Sequence, residues 1–125
     1  MKKKILIVDD EPSIRLILEH FFSVNYDVVV KANGVEAMDW LQKGNLADVI
    51  VADFDMPFMD GLEFVKQIRA SYLFKYIPLI MLSGKDETRD KIKCLREGAD
   101  DYVVKPFNPE ELDVRISNIL RRIKV

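Results

Sequence analysis

The stretch Val49-Ile50-Val51-Ala52-Asp53-Phe54-Asp55-Met56-Pro57-Phe58-Met59-Asp60-Gly61 decides the fold of this chain. It opens with four consecutive apolar β-forming residues, a pattern typical of a strand buried on both faces of a parallel sheet. The run ends in Asp53, and Pro57 then stops the strand because proline has no N–H to donate. Ligands of open α/β sheets bind at the carboxyl ends of the strands. The stretch therefore predicts that Asp53 lies at a ligand-binding edge, although Asp53 and Asp55 taken alone would fit ordinary turn residues.

A second acidic cluster, Asp9-Asp10-Glu11, follows another apolar run, Ile5-Leu6-Ile7-Val8. If the two strands are neighbours in the sheet, three or four carboxylates converge, and their mutual repulsion requires a cation. Hard oxygen ligands that leave room for water and a phosphoryl group suit Mg²⁺. The two clusters together therefore favour a metal site over a pair of turns.

The composition indicates one soluble globular domain spanning residues 1–125, with 49% hydrophobic and 32% charged residues. A formal net charge of −2 gives no electrostatic reason to expect nucleic-acid binding. The single cysteine, Cys94, cannot form an internal disulfide and is predicted to be buried or half-buried. The apolar runs have the length of strands and are too short for a membrane span or a signal peptide. We therefore expect a cytoplasmic domain with no membrane contact.

Five apolar strands alternate with five helical patterns, which predicts a parallel sheet with helices on both faces. The predicted strands are Lys2–Val8, Asp27–Lys31, Val49–Ala52, Ile77–Leu82 and Tyr102–Val104. Helix starts are indicated by Pro12 and by the caps Asn33, Asp60 and Asn108, and the fourth helix is predicted from about Asp86 to Glu97. Gly44 and Gly98 are predicted to end the second and fourth helices.

Helical spacing of apolar residues predicts which face of each helix is buried. The predicted inward residues are Ile14, Ile17, Leu18, Phe21 and Phe22 in the first helix, Ala37, Met38 and Leu41 in the second, Val65, Ile68 and Tyr72 in the third, Ile92 and Leu95 in the fourth, and Leu112, Ile116, Ile119, Leu120 and Ile123 in the fifth. Trp40 fits either the core or its rim. His20 lies off the first helix's apolar stripe and is predicted to be a solvated surface residue.

The polar residues at the strand ends fit one kind of chemistry. A carboxylate such as Asp53, held beside Mg²⁺, can attack phosphorus because the metal offsets the charge of the incoming group. The transition state spreads charge over three oxygens, for which Lys105 supplies a cation and Ser83 a hydroxyl. The sequence thus predicts aspartyl phosphorylation at Asp53.

Four motifs in order give the chain a family resemblance from Lys4 to about Arg122. They are Ile-Leu-Ile-Val-Asp-Asp-Glu at 5–11, Asp-Phe-Asp-Met-Pro-Phe-Met-Asp-Gly at 53–61, Met-Leu-Ser-Gly at 81–84 and Tyr-Val-Val-Lys-Pro-Phe at 102–107. The chain resembles the response-regulator receiver domains of two-component signalling. This resemblance implies a doubly wound, flavodoxin-like sheet of order 2-1-3-4-5 and a phosphodonor that is a sensor histidine kinase or a phosphotransfer protein.

The resemblance also implies a role for each site residue. Asp53 would be the phospho-acceptor, beside Asp9 and Asp10 as ligands of Mg²⁺ or Mn²⁺, with Asp10 the direct ligand. Asp55 would offer its backbone carbonyl to the metal. The remaining implied roles are phosphoryl contacts from Ser83 and Lys105, a cis Lys105–Pro106 bond, and a conformational switch formed by Ser83 and Tyr102.

Two positions depart from the commonest family pattern. Phe54 stands where a smaller aliphatic residue is more usual, and Asp55 adds a carboxylate. Asp55 and Lys85, each two residues beyond a site residue, resemble the family positions that set the lifetime of the phosphoryl group. We expect substitutions at Asp55 or Lys85 to change that lifetime.

A charged surface on the fourth helix, fifth strand and fifth helix is typical of a solvated face. It also resembles the surface through which receivers of winged-helix transcription factors form homodimers. The implied pairs across a dimer are Lys91 with Glu111, Asp101 with Arg115, and Asp100 with Arg122. Leu120-Arg121-Arg122 at the end of the chain favours a receiver cut from a longer protein over a single-domain regulator.

Three alternatives remain open at the level of sequence. Asp53-Phe54-Asp55 also fits the D-x-D motif of haloacid-dehalogenase-like phosphatases, although that motif lies near the start of its domain. A phosphorylation-independent binding module is less consistent with the intact set of site residues. A nucleotide- or flavin-binding domain would need a glycine-rich loop after the first strand, which this chain lacks. As a receiver, the chain would catalyse only its own phosphorylation and dephosphorylation.

Overall fold

A parallel five-stranded sheet organises the computed structural model, which describes residues 2–84 and 88–122. The elements in chain order are β1 Lys4–Val8, α1 Pro12–Phe22, β2 Asp27–Lys31, α2 Gly34–Gln42, β3 Val49–Asp53, α3 Gly61–Ala70, β4 Leu79–Ser83, α4 Thr88–Glu97, β5 Asp101–Val104 and α5 Pro109–Arg122. The strands lie in the order β2-β1-β3-β4-β5 and every pairing is parallel. The predicted doubly wound architecture and strand order are confirmed.

The central strand β3 is buried along its whole length. Its side chains alternate, so Ile50 and Ala52 pack with α2, α3 and α4, whereas Val49 and Val51 pack with α1 and α5. Two helices therefore cover one face of the sheet and three cover the other. Because all five strands run in one direction, their carboxyl ends share one edge.

The helix boundaries follow the capping signals in the sequence. The side chains of Asn33 and Asp60 accept hydrogen bonds from the backbone N–H groups three residues later, both at 2.9 Å. Asn108 accepts from the N–H of Glu110 at 2.8 Å. Gly44 and Gly98 follow α2 and α4 with φ angles of 98° and 120°. These angles lie in the left-handed region, where glycine avoids the steric cost of a Cβ.

Four predicted inward residues are exposed instead. Tyr72 is 85% exposed because α3 ends at Ala70 and the helical period stops there. Ile17 is 53% exposed, since α1 buries a narrower stripe centred on Leu18 and Phe22. Ile92 and Leu95 are each 42% exposed, and Cys94 is the buried residue of α4. Helical spacing alone did not distinguish the side of α4 that faces the sheet from its two flanks.

Other boundaries and side chains refine the sequence predictions. β1 begins at Lys4, and β4 begins at Leu79, two residues later than predicted. Trp40 is half-buried at the rim of the core and His20 is exposed, as expected. The predictions for Lys85, the start of the fourth helix near Asp86, and Ile123 lie outside the described residues.

Arg69 of α3 joins several loops at the amino edge of the sheet. Its guanidinium donates to the backbone oxygens of Gly98 at 2.9 Å and Ile77 at 2.6 Å. It also pairs with the carboxylate of Asp100 at 3.0 Å, and Asp100 in turn accepts from the N–H of Leu79 at 2.8 Å. This edge is therefore held by directed hydrogen bonds. Within the described ranges, no helix is long and apolar enough to cross a membrane.

Candidate functional site

The two acidic clusters meet at the carboxyl edge of the sheet. β1 and β3 are neighbours, with Val8 in register with Ala52, so Asp9 and Asp53 lie side by side. Carboxylate oxygens of Asp9, Asp10 and Asp53 all lie within 4.8 Å of one another. Asp9 and Asp53 are buried, whereas Asp10 is exposed. The convergence expected from the sequence is confirmed for these three residues.

Lys105 places its ammonium between the buried carboxylates. Its Nζ lies 3.2 Å from Oδ2 of Asp9 and 3.3 Å from Oδ1 of Asp53, and 3.6 Å from Oε1 of Glu11. The backbone N–H of Lys105 donates to the carbonyl of Ser83 at 2.6 Å. The Lys105–Pro106 bond is cis, as the resemblance implies. The residue that ends β5 thus reaches across the edge to the ends of β1 and β3.

Local hydrogen bonds fix the orientation of Asp9. Its Oδ1 accepts from the backbone N–H of Glu11 at 2.9 Å, while its Oδ2 accepts from Lys105. Its backbone carbonyl accepts from Nη1 of Arg15 at 2.7 Å. Both oxygens of Asp9 therefore have protein donors, which leaves the exposed carboxylate of Asp10 better placed for direct coordination.

The electrostatics of the cluster favour a further positive charge. The pKa of Asp53 is raised to about 7: burial is the largest cause, the neighbouring charge of Asp9 adds to the rise, and Lys105 opposes both effects. Burial likewise raises the pKa of Asp9. Burial disfavours the ammonium of Lys105, yet the carboxylates of Asp53 and Asp9 raise its pKa overall. One ammonium faces three carboxylates, and all the acidic donors are hard oxygens. The residues present thus fit a hard divalent cation such as Mg²⁺.

Ser83 lies next to the acidic cluster, and Tyr102 lies behind it on β5. Asp53 is in register with Leu82, so the following residue, Ser83, sits beside the acceptor and is fully buried. Tyr102 is 4% exposed, so its ring points inward. Burial raises the pKa of the Tyr102 phenol, and a hydrogen bond with Ser83 opposes that rise. The two residues named as a switch are therefore in contact.

A glycine that the sequence analysis did not single out closes the loop after β3. The N–H of Gly61 donates to the carbonyl of Phe54 at 2.7 Å. A Cβ built on Gly61 would lie 2.7 Å from Cα of Phe54 and 3.0 Å from the carbonyl oxygen of Asp53. Only glycine allows α3 to begin this close to the acceptor strand. The Asp-Gly pair at 60–61 was the available signal, and only its aspartate was interpreted, as a helix cap.

The proposed dimer residues have partners inside the single chain. Arg115 donates to Asp101 at 2.9 and 3.2 Å and to Glu111 at 3.2 Å. Asp100 is held by Arg69, and Nζ of Lys91 lies 6.0 Å from the ring centroid of Tyr102. These contacts would compete with pairing across a dimer. Arg122 is exposed.

Comparison with known proteins identifies the family. Residues 5–117 match the family described as response regulator receiver domain. The chain belongs to this family. The match favours the receiver interpretation over the phosphatase and nucleotide-binding alternatives.

Relatives of this receiver include transcriptional regulators. It is 43% identical to the alkaline phosphatase synthesis transcriptional regulatory protein PhoP of Bacillus subtilis, over 100% of this chain and 51% of that protein. It is 47% identical to the protein named Probable transcriptional regulator ycf27 of Cyanophora paradoxa, over 97% of this chain and 49% of that protein. The receiver thus spans about half the length of these curated relatives.

Solved structures of receivers share the fold. The Francisella response regulator 1452 receiver domain gives a TM-score of 0.88 at 37% identity, covering 98% of this chain and 99% of that one. The chemotaxis response regulator CheY4 of Vibrio cholerae also gives 0.88 at 37% identity, with coverages of 95% and 99%. Both similarities extend over almost the whole fold described above.

Proposed function

We propose that this receiver accepts a phosphoryl group on Asp53 from a sensor histidine kinase or a phosphotransfer protein. The observation that carries the proposal is the clustering of Asp53 with Asp9, Asp10 and Lys105 at the carboxyl edge of the sheet. In this arrangement a buried nucleophilic carboxylate lies beside hard metal ligands and a fixed cation.

Different residues of the site would act as nucleophile, as charge-stabilising groups and as metal ligands in phosphoryl transfer. An oxygen of Asp53 forms the new bond to phosphorus while the bond between phosphorus and the donor's leaving atom breaks. Lys105 and Ser83 stabilise the charge on the phosphoryl oxygens. Asp9, Asp10, Asp53 and the carbonyl of Asp55 would hold Mg²⁺ or Mn²⁺. When bound, this ion supplies positive charge that offsets the repulsion between the carboxylate and the phosphoryl group.

Phosphorylation would act on the surface formed by α4, β5 and α5. Ser83 would follow the phosphoryl group and Tyr102 would keep its inward position behind it. The charged residues of the surface would then pair across a symmetric homodimer. Because the curated relatives are named transcriptional regulators, we propose that the output is control of transcription in the cytoplasm, through a part of the protein beyond this domain.

Asp55 and Lys85 would set the lifetime of the phosphoryl group. Asp55 is exposed and lies two residues after the acceptor. Substitution at either position is expected to change the rate of dephosphorylation, measured by intact mass after the phosphodonor is removed. Unchanged decay in both variants would remove the two residues from this role.

Incubation with acetyl phosphate and Mg²⁺, followed by intact mass spectrometry, tests the proposal directly. The wild-type chain should gain one phosphoryl group, with acetate as the leaving group, and the gain should require the metal. Asp53→Asn should gain none. Asp39→Asn is the matched control, because Asp39 is an exposed aspartate on α2 whose partner is Lys43.

Two results would contradict the proposal. One is labelling of Asp53→Asn at the wild-type rate, which would place the acceptor elsewhere. The other is a wild-type chain that neither gains mass nor binds beryllofluoride, since a working site should bind this phosphoryl mimic even when the phosphorylated form is short-lived.

A further inference from the structure

Phe58, in the loop between β3 and α3, combines two unfavourable features. Its φ angle is 70°, the one positive value for a non-glycine residue across 2–84 and 88–122. Its aromatic side chain is 87% exposed, more than any other large apolar side chain in those ranges. A bulky residue with such an angle is a conformational outlier.

The hydrogen bonding around Phe58 shows the source of the strain. The N–H of Met59 donates to the carbonyl of Pro57 at 2.8 Å, which closes a three-residue turn centred on Phe58. Turns of this kind with a positive central φ are rare and strained, and glycine would adopt the same angle without a steric penalty. The ring belongs to neither core cluster. The fold therefore gains no packing from the residue that strains it.

Phe58 lies close to the phospho-acceptor. It is three residues before Gly61, so their Cα atoms are at most about 11 Å apart. Gly61 in turn packs closely on Asp53, because a Cβ at Gly61 would lie 3.0 Å from the carbonyl oxygen of Asp53. Asp53 itself is only 3% exposed, so a protein that delivers a phosphoryl group must press against the loops around it. A typical footprint of about 800 Å² per partner has a radius of roughly 16 Å and would include Phe58.

We propose that Phe58 is a recognition residue for the protein phosphodonor, whose apolar surface receives the ring during transfer. The inference rests on the proposed function of Asp53. The donor is the favoured occupant because its phosphohistidine must reach Asp53, which brings its surface over the neighbouring loop. Exposed aromatic side chains are enriched at such contacts, and strained backbone persists at functional sites. Acetyl phosphate is small enough to react without touching this loop.

The transfer step itself leaves Phe58 chemically unchanged. An oxygen of Asp53 forms its bond to phosphorus as the phosphorus–nitrogen bond of the phosphohistidine breaks. The electron pair of that bond stays on the imidazole nitrogen, which takes a proton from water. Phe58 contributes only to binding of the protein donor. Its loss should therefore slow transfer from a phosphorylated protein and leave the reaction with acetyl phosphate unchanged.

The test compares Phe58→Gly and Phe58→Ala with wild type, using two donors. One donor is acetyl phosphate, and the other is an autophosphorylated histidine kinase, chosen from a panel as the one that labels wild type fastest. Both variants should lose at least tenfold in kcat/KM with the kinase and stay within twofold of wild type with acetyl phosphate. Phe58→Gly should also raise the thermal unfolding midpoint, because it relieves the strain, whereas Phe58→Ala should not.

Tyr76→Ala is the matched control for loss of an exposed aromatic ring. Tyr76 is 84% exposed in the loop before β4, at the opposite edge of the sheet. The Tyr76→Ala substitution should therefore leave transfer unchanged with both donors. Kinase transfer at the wild-type rate in both Phe58 variants would overturn the inference, and so would an equal loss with both donors. A wild-type chain labelled by acetyl phosphate but by no kinase would overturn it while the acceptor role stands. Failure of both donors on wild type would instead reject the proposed function.

Discussion

At the scale of single residues, Lys105 reduces the electrostatic repulsion between the buried carboxylates of the acidic cluster. Its ammonium is 15% exposed and contacts Asp9 and Asp53 at once. Such a fixed cation in a partly dry site stabilises developing negative charge more than a mobile surface lysine could. Lys105 should therefore increase the phosphorylation rate more than a lysine at an exposed, mobile position would.

Replacing Lys105 by methionine should slow phosphorylation of Asp53 by about a hundredfold, the usual effect of removing one such donor. The initial rate of mass gain with acetyl phosphate measures the change. Lys93→Met on the exposed face of α4 should have no effect. A Lys105→Met variant that folds, as judged by circular dichroism, and is labelled at the wild-type rate would contradict the role.

Cys94 gives this receiver a measurable pH dependence. The pKa of the Cys94 thiol is raised to about 11, mainly by burial and to a smaller extent by the charges of Asp90 and Asp60. The folded protein keeps the thiol proton to a higher pH than the unfolded chain, whose thiol titrates near its ordinary value of 9.0. Stability should therefore fall as the pH rises from about 9 to 11. Urea unfolding of wild type and Cys94→Ala across this range should show a steeper fall for wild type, and parallel curves would argue against it.

At the scale of elements, the junction between β3 and α3 leaves no room for a Cβ at Gly61. Gly61→Ala should lower the free energy of unfolding by about 1–3 kcal/mol, because the added methyl group meets the backbone of Phe54 and Asp53, which cannot move aside, as well as Sδ of Met81. Chemical denaturation measures the loss. Gly84→Ala is the matched control, since a Cβ there has no atom within 4 Å. A Gly61→Ala variant as stable as Gly84→Ala would mean that the junction can relax.

The sequence predicted elements best where the signal was local. The caps Asn33 and Asp60 and the stop at Gly98 depend on neighbouring residues, and the structure confirms all three. Burial at α4 depends on how that helix sits against the sheet, which its own sequence does not contain, so Ile92 and Leu95 were misassigned.

The candidate site was predictable for a different reason. Parallel strands bring their carboxyl ends to one edge, so Asp9 and Asp53 had to converge once β1 and β3 were neighbours. The strained turn at Phe58 was not predictable, because a positive φ at a bulky residue leaves no mark in the sequence.

At the scale of the whole molecule, the dimer proposal depends on exchanging contacts within the chain for contacts between chains. Arg115 already pairs with Asp101 and Glu111 of its own chain. An exposed pair contributes about 0.2–1 kcal/mol, and a two-fold axis doubles it. Because the same arginine gives up contacts within its own chain, Arg115→Ala should raise the dimer Kd by less than about 30-fold, the upper limit that two such pairs set.

Sedimentation with beryllofluoride and Mg²⁺ measures this effect, with Arg121→Ala as the control on the same helix. Wild type without the mimic should be more monomeric than wild type with it. The same monomer fraction in both conditions would remove the link between Asp53 and the α4, β5 and α5 surface.

The position of the only tryptophan has an optical consequence. Trp40 lies near the end of α2, with Nζ of Lys4 at 5.9 Å from its ring, and Lys4 begins β1. The indole therefore sits at the amino edge of the sheet, across the molecule from Asp53 and Tyr102. The emission of Trp40 should therefore change on global unfolding and stay the same on phosphorylation of Asp53. A shift of emission on phosphorylation would mean that the rearrangement crosses the whole sheet.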